Sequence, residues 1–257
     1  MSGFPRRYLR STQVVTVSGN VTAPPWAKFA GRVELIGGGG GGGGAGSQAT
    51  SGASQGGGGG GGAAQVLQMD NIPVTGGAIY PVTIGAGGTG GAGGASGGNA
   101  GGFGADGGST SAFGATALGG GGGWPSNASS TSGAGGQPYG LGVGVSVGAY
   151  YTVGSGGEGA PSGDTAVPLT KTVGGAGGQS ASTSNLGGVS GPACQTAYAT
   201  TQNTPNAQTV NADGGTGQTA TLAGCGGGGG GGGAFGGAGG NGGAGANGQV
   251  TITWRSE

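Results

Sequence analysis

The feature that most restricts this chain is uninterrupted glycine. Runs occupy 37–44, 56–62, 119–123 and 226–233, with looser glycine tracts such as 85–94 around them. An α-helix through such runs is disfavoured by about 1 kcal/mol per Gly relative to Ala. An ordinary strand is weak as well, because glycine brings no side chain to pack on the sheet. The extended threefold polyproline-II geometry remains, and it makes no internal hydrogen bonds. Every buried N–H and C=O must then pair with a neighbouring segment. Glycine lets backbones approach from all sides, so such segments can bond sideways into a lattice of polyglycine-II helices. Bonds worth about 1 kcal/mol net each then offset the large backbone entropy that glycine loses on ordering. Flexible glycine linkers are the competing expectation for the same runs.

Composition removes several classes. Gly accounts for 81 of 257 residues and Pro for only 11. The glycine comes in long runs rather than at every third residue, which excludes collagen. Seven Lys+Arg balance seven Asp+Glu, so there is no basic excess to neutralise phosphates and no nucleic-acid partner is expected. Charged residues make up only 5%, too few for a self-repelling disordered chain. No run of about 20 large apolar residues exists, so no membrane insertion is expected. Arg6, Arg7 and Arg10 are followed by an alternating stretch over 11–21 rather than an apolar block. A secretory leader is therefore not expected, and synthesis in a cytoplasm is.

Conventional strands are predicted at both ends of the chain and between the first glycine runs: 13–17, 31–36, 64–69, 78–84 and 249–254. Chain ends often meet in a compact domain. The expected fold is therefore mostly irregular and β, with almost no α-helix: a small β unit built from N- and C-terminal strands, plus a lattice of polyglycine-II helices. The organisation reads as an attachment arm over 1–12 and a β-rich base from 13–36, 64–84 and 249–257. The lattice takes 37–62, 85–136 and 224–248, and 137–223 forms a variable, loop-rich segment.

The middle of the chain gathers most of its aromatics outside the glycine runs: Trp124, Tyr139, Tyr150, Tyr151 and Tyr198. Binding residues concentrate on loops held by a rigid scaffold, and Tyr and Trp among small polar residues resemble a paratope in composition. These five are the candidate binding residues; the plainer alternative is aromatics tucked over the lattice edge. Phe4, Arg6, Arg7, Tyr8 and Arg10 precede the first strand and are candidates for docking onto another protein, against the alternative of a frayed terminus.

No catalytic constellation is evident, so no enzymatic activity, metal or cofactor is expected. The chain has no His for general-base work or zinc binding. Glu158 and Asp164 are the nearest middle-chain carboxylates and read as solvated loop residues. No glycine run is followed by the Gly-Lys-Ser/Thr of a phosphate loop. Cys194 and Cys225 are the two cysteines. A bond between them would close a loop of about 30 residues, worth roughly 3–4 kcal/mol in the chain-entropy model; two separate buried thiols are the alternative.

The order of these parts resembles a known family. Trp26-Ala27-Lys28-Phe29 leads through the strand at 31–36 into a long glycine run. A second glycine run follows, and Ile79-Tyr80-Pro81-Val82-Thr83-Ile84 then precedes a third glycine tract. Ser109-Thr110-Ser111-Ala112-Phe113-Gly114 precedes a further run at 119–123, and the chain closes on Gln249-Val250-Thr251-Ile252-Thr253-Trp254. Over about 13–254 this is similar to the glycine-rich domains of tailed-bacteriophage tail fibres and tail tips, including the fibre-tip adhesins of T-even-type phages. The resemblance implies a polyglycine-II sandwich with variable loops at its far end that touch the host receptor, here within 137–223. It implies a location in the virion. The implied partners are other tail or fibre proteins and a bacterial surface receptor, protein or glycan. A homotrimer and a single chain that completes its own lattice are both compatible with it. A purely structural virion part and an ice-binding protein are the alternative functions.

Overall fold

In the β-rich parts of the chain, Val, Ile, Leu and aromatic residues alternate with polar ones, and there the computed structural model forms short antiparallel strands. It describes residues 8–47, 56–126, 151–152, 213–233 and 237–257. Among these the strands are β1 (Arg10–Val15), β2 (Gly19–Thr22), β3 (Phe29–Ile36), β4 (Val66–Pro73), β5 (Ile79–Thr83), β6 (Thr110–Ala112), β7 (Ala115–Ala117), β8 (Tyr151–Thr152) and β9 (Gln249–Arg255). No α-helix occurs among the described residues. One sheet has the order β1-β9-β3-β4-β8 and the other β2-β5-β6-β7. The N- and C-terminal strands pair directly, from Arg10 opposite Arg255 to Val15 opposite Val250, as expected for a unit that carries both ends. Residues 10–12, read from sequence as part of an arm, begin β1.

The two sheets share one apolar core. The first contributes Val33, Leu35, Val250, Ile252 and Trp254; the second contributes Val21, Val82, Ala112 and Ala117. The short hairpin β6–β7 turns on Phe113 and Gly114, with φ of 50° and 76°. Two positive φ values are what a tight two-residue hairpin needs. Phenylalanine is held there because its ring lies 4.9 Å from that of Tyr80 and 6.1 Å from that of Trp254.

The glycine tracts leave these strands as eight extended segments: I (37–47), II (56–65), III (85–94), IV (99–108), V (118–126), VI (213–220), VII (224–233) and VIII (237–248). Their bonding repeats every three residues. In segment I, the N–H groups of Gly37, Gly40 and Gly43 donate to Gln65, Gly62 and Gly59 of II. Those of Gly38, Gly41 and Gly44 donate to Gly108, Ala105 and Gly102 of IV. Those of Gly39, Gly42 and Ala45 donate to Ala246, Gly243 and Gly240 of VIII. The carbonyls of segment I accept in the same rhythm, from III (Gly88, Gly91, Gly94), V (Gly120, Gly123, Ser126) and VII (Gly227, Gly230, Gly233). The first three neighbours run antiparallel to segment I and the last three parallel.

The outer segments bond to each other in the closed order II–V–IV–III–VIII–VII–II, and VI packs outside VII and VIII. Segment I is thus the axis of a hexagonal polyglycine-II bundle whose six surrounding positions are all filled from one chain. Each axial residue joins about two bonds of about 1 kcal/mol net. That roughly balances the cost of fixing its backbone, about 1–2 kcal/mol, so the array is favourable only when it forms together.

The bundle also explains why the residue must be glycine rather than merely small. A Cβ on any of Gly37 to Gly44 would sit 1.9–2.2 Å from a carbonyl oxygen of a neighbouring segment. Outer segments relax this at one position in three. In III the exposed positions are Ala86, Thr89 and Ala92, with buried Gly85, Gly88, Gly91 and Gly94 facing the axis. Segment VI, read from sequence with the loop-rich stretch up to 223, belongs to this bundle. The lattice therefore resumes at 213 rather than 224.

Candidate binding surface

The topology gives the bundle two different ends. Strands β3, β4, β5, β6, β7 and β9 all join it at one end. The described chain breaks off and resumes at the other: after Ser47 and before Gly56, after Ser126 and before Asp213, and after Gly233 and before Gly237. Of the long stretch 127–212, β8 returns to the β end, where Leu67 pairs with Tyr151 and Val66 with Thr152.

Two serines fix the far end. Ser126, fully buried, accepts from the Gly46 N–H (2.7 Å) and donates to Gly56 O (2.6 Å) through its Oγ. Ser47, also fully buried, accepts from the N–H groups of Gly98 (3.1 Å) and Asn99 (2.8 Å) and donates to Ala95 O. The first ties down the end of V, and the second closes the turn between III and IV. Between them, Gly104 N–H donates to Gly123 O (2.9 Å) and Gly101 N–H to Ser126 O (3.2 Å). Asp106 Oδ1 accepts from the Gly122 N–H (2.8 Å).

These bonds set Phe103 of IV level with Trp124 of V. Both rings point outward, 66% and 55% exposed. Their centroids are 5.6 Å apart at an interplanar angle of 69°, an edge-to-face pair. An exposed aromatic pair held by a hydrogen-bonded backbone offers flat apolar faces whose orientation is already paid for in ordering entropy. It can stack a ring or an apolar side chain.

Of the residues expected from sequence, Trp124 is on this surface. Tyr139, Tyr150 and Tyr198 lie outside the described residues, as do Phe4, Arg6, Arg7 and Cys194. Tyr151 lies in β8 at the rim of the first sheet. Tyr8 and Arg10 lie at the β end, with Tyr8 half exposed under the guanidinium of Arg255, 5.7 Å from the ring centroid. Cys225 is buried in segment VII and is not a free thiol. Phe103 was missed. The signal for it is the three-residue rhythm Ala100, Phe103, Asp106, Ser109, whose members are all exposed.

A second concavity of about 620 Å³ opens on the β unit, lined by residues including Tyr80, Pro81, Phe113 and Thr116. Its two rings are committed to packing against Trp254, which leaves the Phe103–Trp124 pair as the better-presented aromatic surface.

Residues 12–255 match the model of a glycine-rich domain. The chain belongs to the glycine-rich domain family. The match spans both sheets and every described segment of the bundle, so in this glycine-rich domain the strands and the lattice form one family unit. No curated protein matches the chain.

Proposed function

We propose that this glycine-rich domain is a receptor-binding protein of a bacteriophage tail fibre or tail tip, which attaches to the bacterial surface through the far end of its bundle. The observation that carries the reading is the exposed Phe103–Trp124 pair. The other exposed side chains on the described bundle are mostly Ala, Thr, Asn or Asp, so this pair stands out as a recognition surface. Both large aromatics sit toward the end remote from the sheets, and the backbone beneath them is bonded in three directions. The opposite end, with the paired N- and C-terminal strands, is left to join other tail or fibre proteins. Recognition works by stacking and shape, without catalysis.

The test is binding of purified protein to a panel of bacterial strains, alongside a Phe103→Ala/Trp124→Ala double variant. The parent coats susceptible cells and blocks infection. The variant keeps its melting temperature within a few degrees, because both rings are exposed, and binds at least about tenfold more weakly, the equivalent of about 1.4 kcal/mol. If neither protein binds any strain while both attach to purified tail fibres, the domain is a structural virion part and the receptor-binding reading fails.

A further inference from the structure

Strand pairing carries straight on from the sheets into the bundle. β3 pairs with β4 as far as Ile36 and Val66. Beyond them Gly37, Gly40 and Gly43 bond to Gln65, Gly62 and Gly59, so each step forward along segment I is matched by one step back along II. Three other strand pairs lead into adjoining segments, and all keep their register in this way. Ile36 opposite Gln249 is followed by Gly39 with Ala246 and Gly42 with Gly243. Thr83 opposite Ser111 is followed by Ala86 with Gly108 and Thr89 with Ala105. Thr110 opposite Ala117 is followed by Gly107 with Gly120 and Gly104 with Gly123.

A fifth pair enters the bundle from one side. β4 is the continuation of segment II, and its other partner is β8, with Val66 opposite Thr152. No described segment lies outside II, yet every residue from 56 to 65 is buried. In III, by contrast, Ala86, Thr89 and Ala92 are exposed. The N–H groups of II divide by threes. Those of Gly58, Gly61 and Ala64 donate to VII, and those of Gly59, Gly62 and Gln65 to V. Those of Gly57, Gly60 and Ala63 have no acceptor among the described residues. A buried N–H needs a partner. The β4–β8 register, carried on by three and by six residues, sets Ser155 against Ala63 and Glu158 against Gly60.

Residues 153–159 lie outside the described residues, and their sequence suits that place. A segment antiparallel to I turns toward it the row of residues just before its accepting carbonyls, such as Gly58 and Gly61 of II or Gly242 and Gly245 of VIII. A Cβ on any of these four would lie 2.0–2.2 Å from a carbonyl oxygen of I. The corresponding residues before Ser155 and Glu158 are Gly154 and Gly157. Ala160 breaks that row and Pro161 follows it, so the match stops short of Gly57.

We propose that residues 153–159 add a ninth segment to the bundle, antiparallel to II on its outer side, with the N–H groups of Ala63 and Gly60 donating to the carbonyls of Ser155 and Glu158. These residues are scaffold: they cover a flank instead of adding a loop to the far end. The flank is covered whether or not the Phe103–Trp124 pair binds a receptor.

The test is NMR detection of scalar coupling across hydrogen bonds in the full, isotope-labelled chain, which joins each donor N–H to its accepting carbonyl. Gly40 with Gly62 and Gly43 with Gly59 are the internal references. Cross-peaks are expected from Ala63 to Ser155 and from Gly60 to Glu158. Cross-peaks from these two amides to other carbonyls, for example within 174–178, would mean that a different stretch covers II and would overturn the proposal. So would their absence from a spectrum that shows the reference pairs. Gly157→Ala supplies a second reading, because its methyl would meet the Gly60 carbonyl. The amides of Gly60 and Ala63 should then exchange at least about tenfold faster, while those of Gly40 and Gly43 keep their rates. Unchanged exchange at Gly60 and Ala63 would also overturn it. Should that variant fail to fold, the cross-peaks of the parent decide.

Discussion

The β unit and the glycine bundle solve the same problem by opposite means. In the β unit, side chains fill the space between two sheets, and Trp254, Leu35, Ile252, Val33 and Val250 are its largest fully buried members. Backbone bonds run only within each sheet. In the bundle, backbone bonds run in every lateral direction and the buried positions are nearly all Gly. The first region depends on side-chain volume and the second on its absence. The two should therefore respond differently to the same size of chemical change.

The sharpest way to break this comparison is Gly41→Ala on the bundle axis. The added methyl would sit 2.0 Å from Thr89 O, and that oxygen is fixed by the N–H of Ala105 at 2.8 Å. No flexible side chain is there to yield. The expected loss exceeds about 4 kcal/mol, in the range reserved for severe lesions, and thermal unfolding should show the bundle failing to assemble. An unchanged melting temperature would mean that the axial packing is not as described.

A deletion in the other region should cost slightly less. Trp254→Ala removes a ring that touches Tyr80 and Phe113, and urea denaturation should register about 3–5 kcal/mol. Next in size is Ser126→Ala, which strands the Gly46 N–H and the Gly56 carbonyl at a buried site. The expected cost is about 1–3 kcal/mol, and it should appear with altered Trp124 fluorescence, since Ser126 anchors the segment that carries that ring. The smallest effect sharpens the contrast within the bundle itself. Ala92→Ser alters an outward position of segment III and should stay within about 0.5 kcal/mol. A larger change would show that the outward third of that segment is covered.

Much of this architecture is legible in the residues. Glycine runs disfavour helix and strand, and alternation at 31–36 and 249–254 marks strands that meet. The hairpin β6–β7 was not foreseen, because Phe113-Gly114 lacks the usual Asn-Gly signature and is held in place by Tyr80 and Trp254 from distant parts of the chain. Segment VI was read with the loops because Thr216, Gln218 and Thr219 interrupt its glycine. Thr216 and Thr219, three residues apart, lie on the exposed outside of the segment, while Gln218 is half-buried and its carbonyl accepts from the Gly228 N–H of VII. The same threefold rhythm exposes Phe103, which hides in a glycine tract until one position in three is known to face solvent.

What local chemistry dictates here is the kind of structure: extended, threefold, bonded sideways, and anchored by strands from both ends of the chain. What it leaves open is the pairing. One glycine run is chemically interchangeable with another, so nothing within 37–44 specifies bonds to II, IV and VIII rather than to other runs. That choice is made when the ring of six closes around segment I and each strand of the β unit delivers its segment in the right direction. The same closure sets Phe103 beside Trp124, 21 residues apart in the chain. A surface made by two neighbouring segments exists only once the order of the ring is settled.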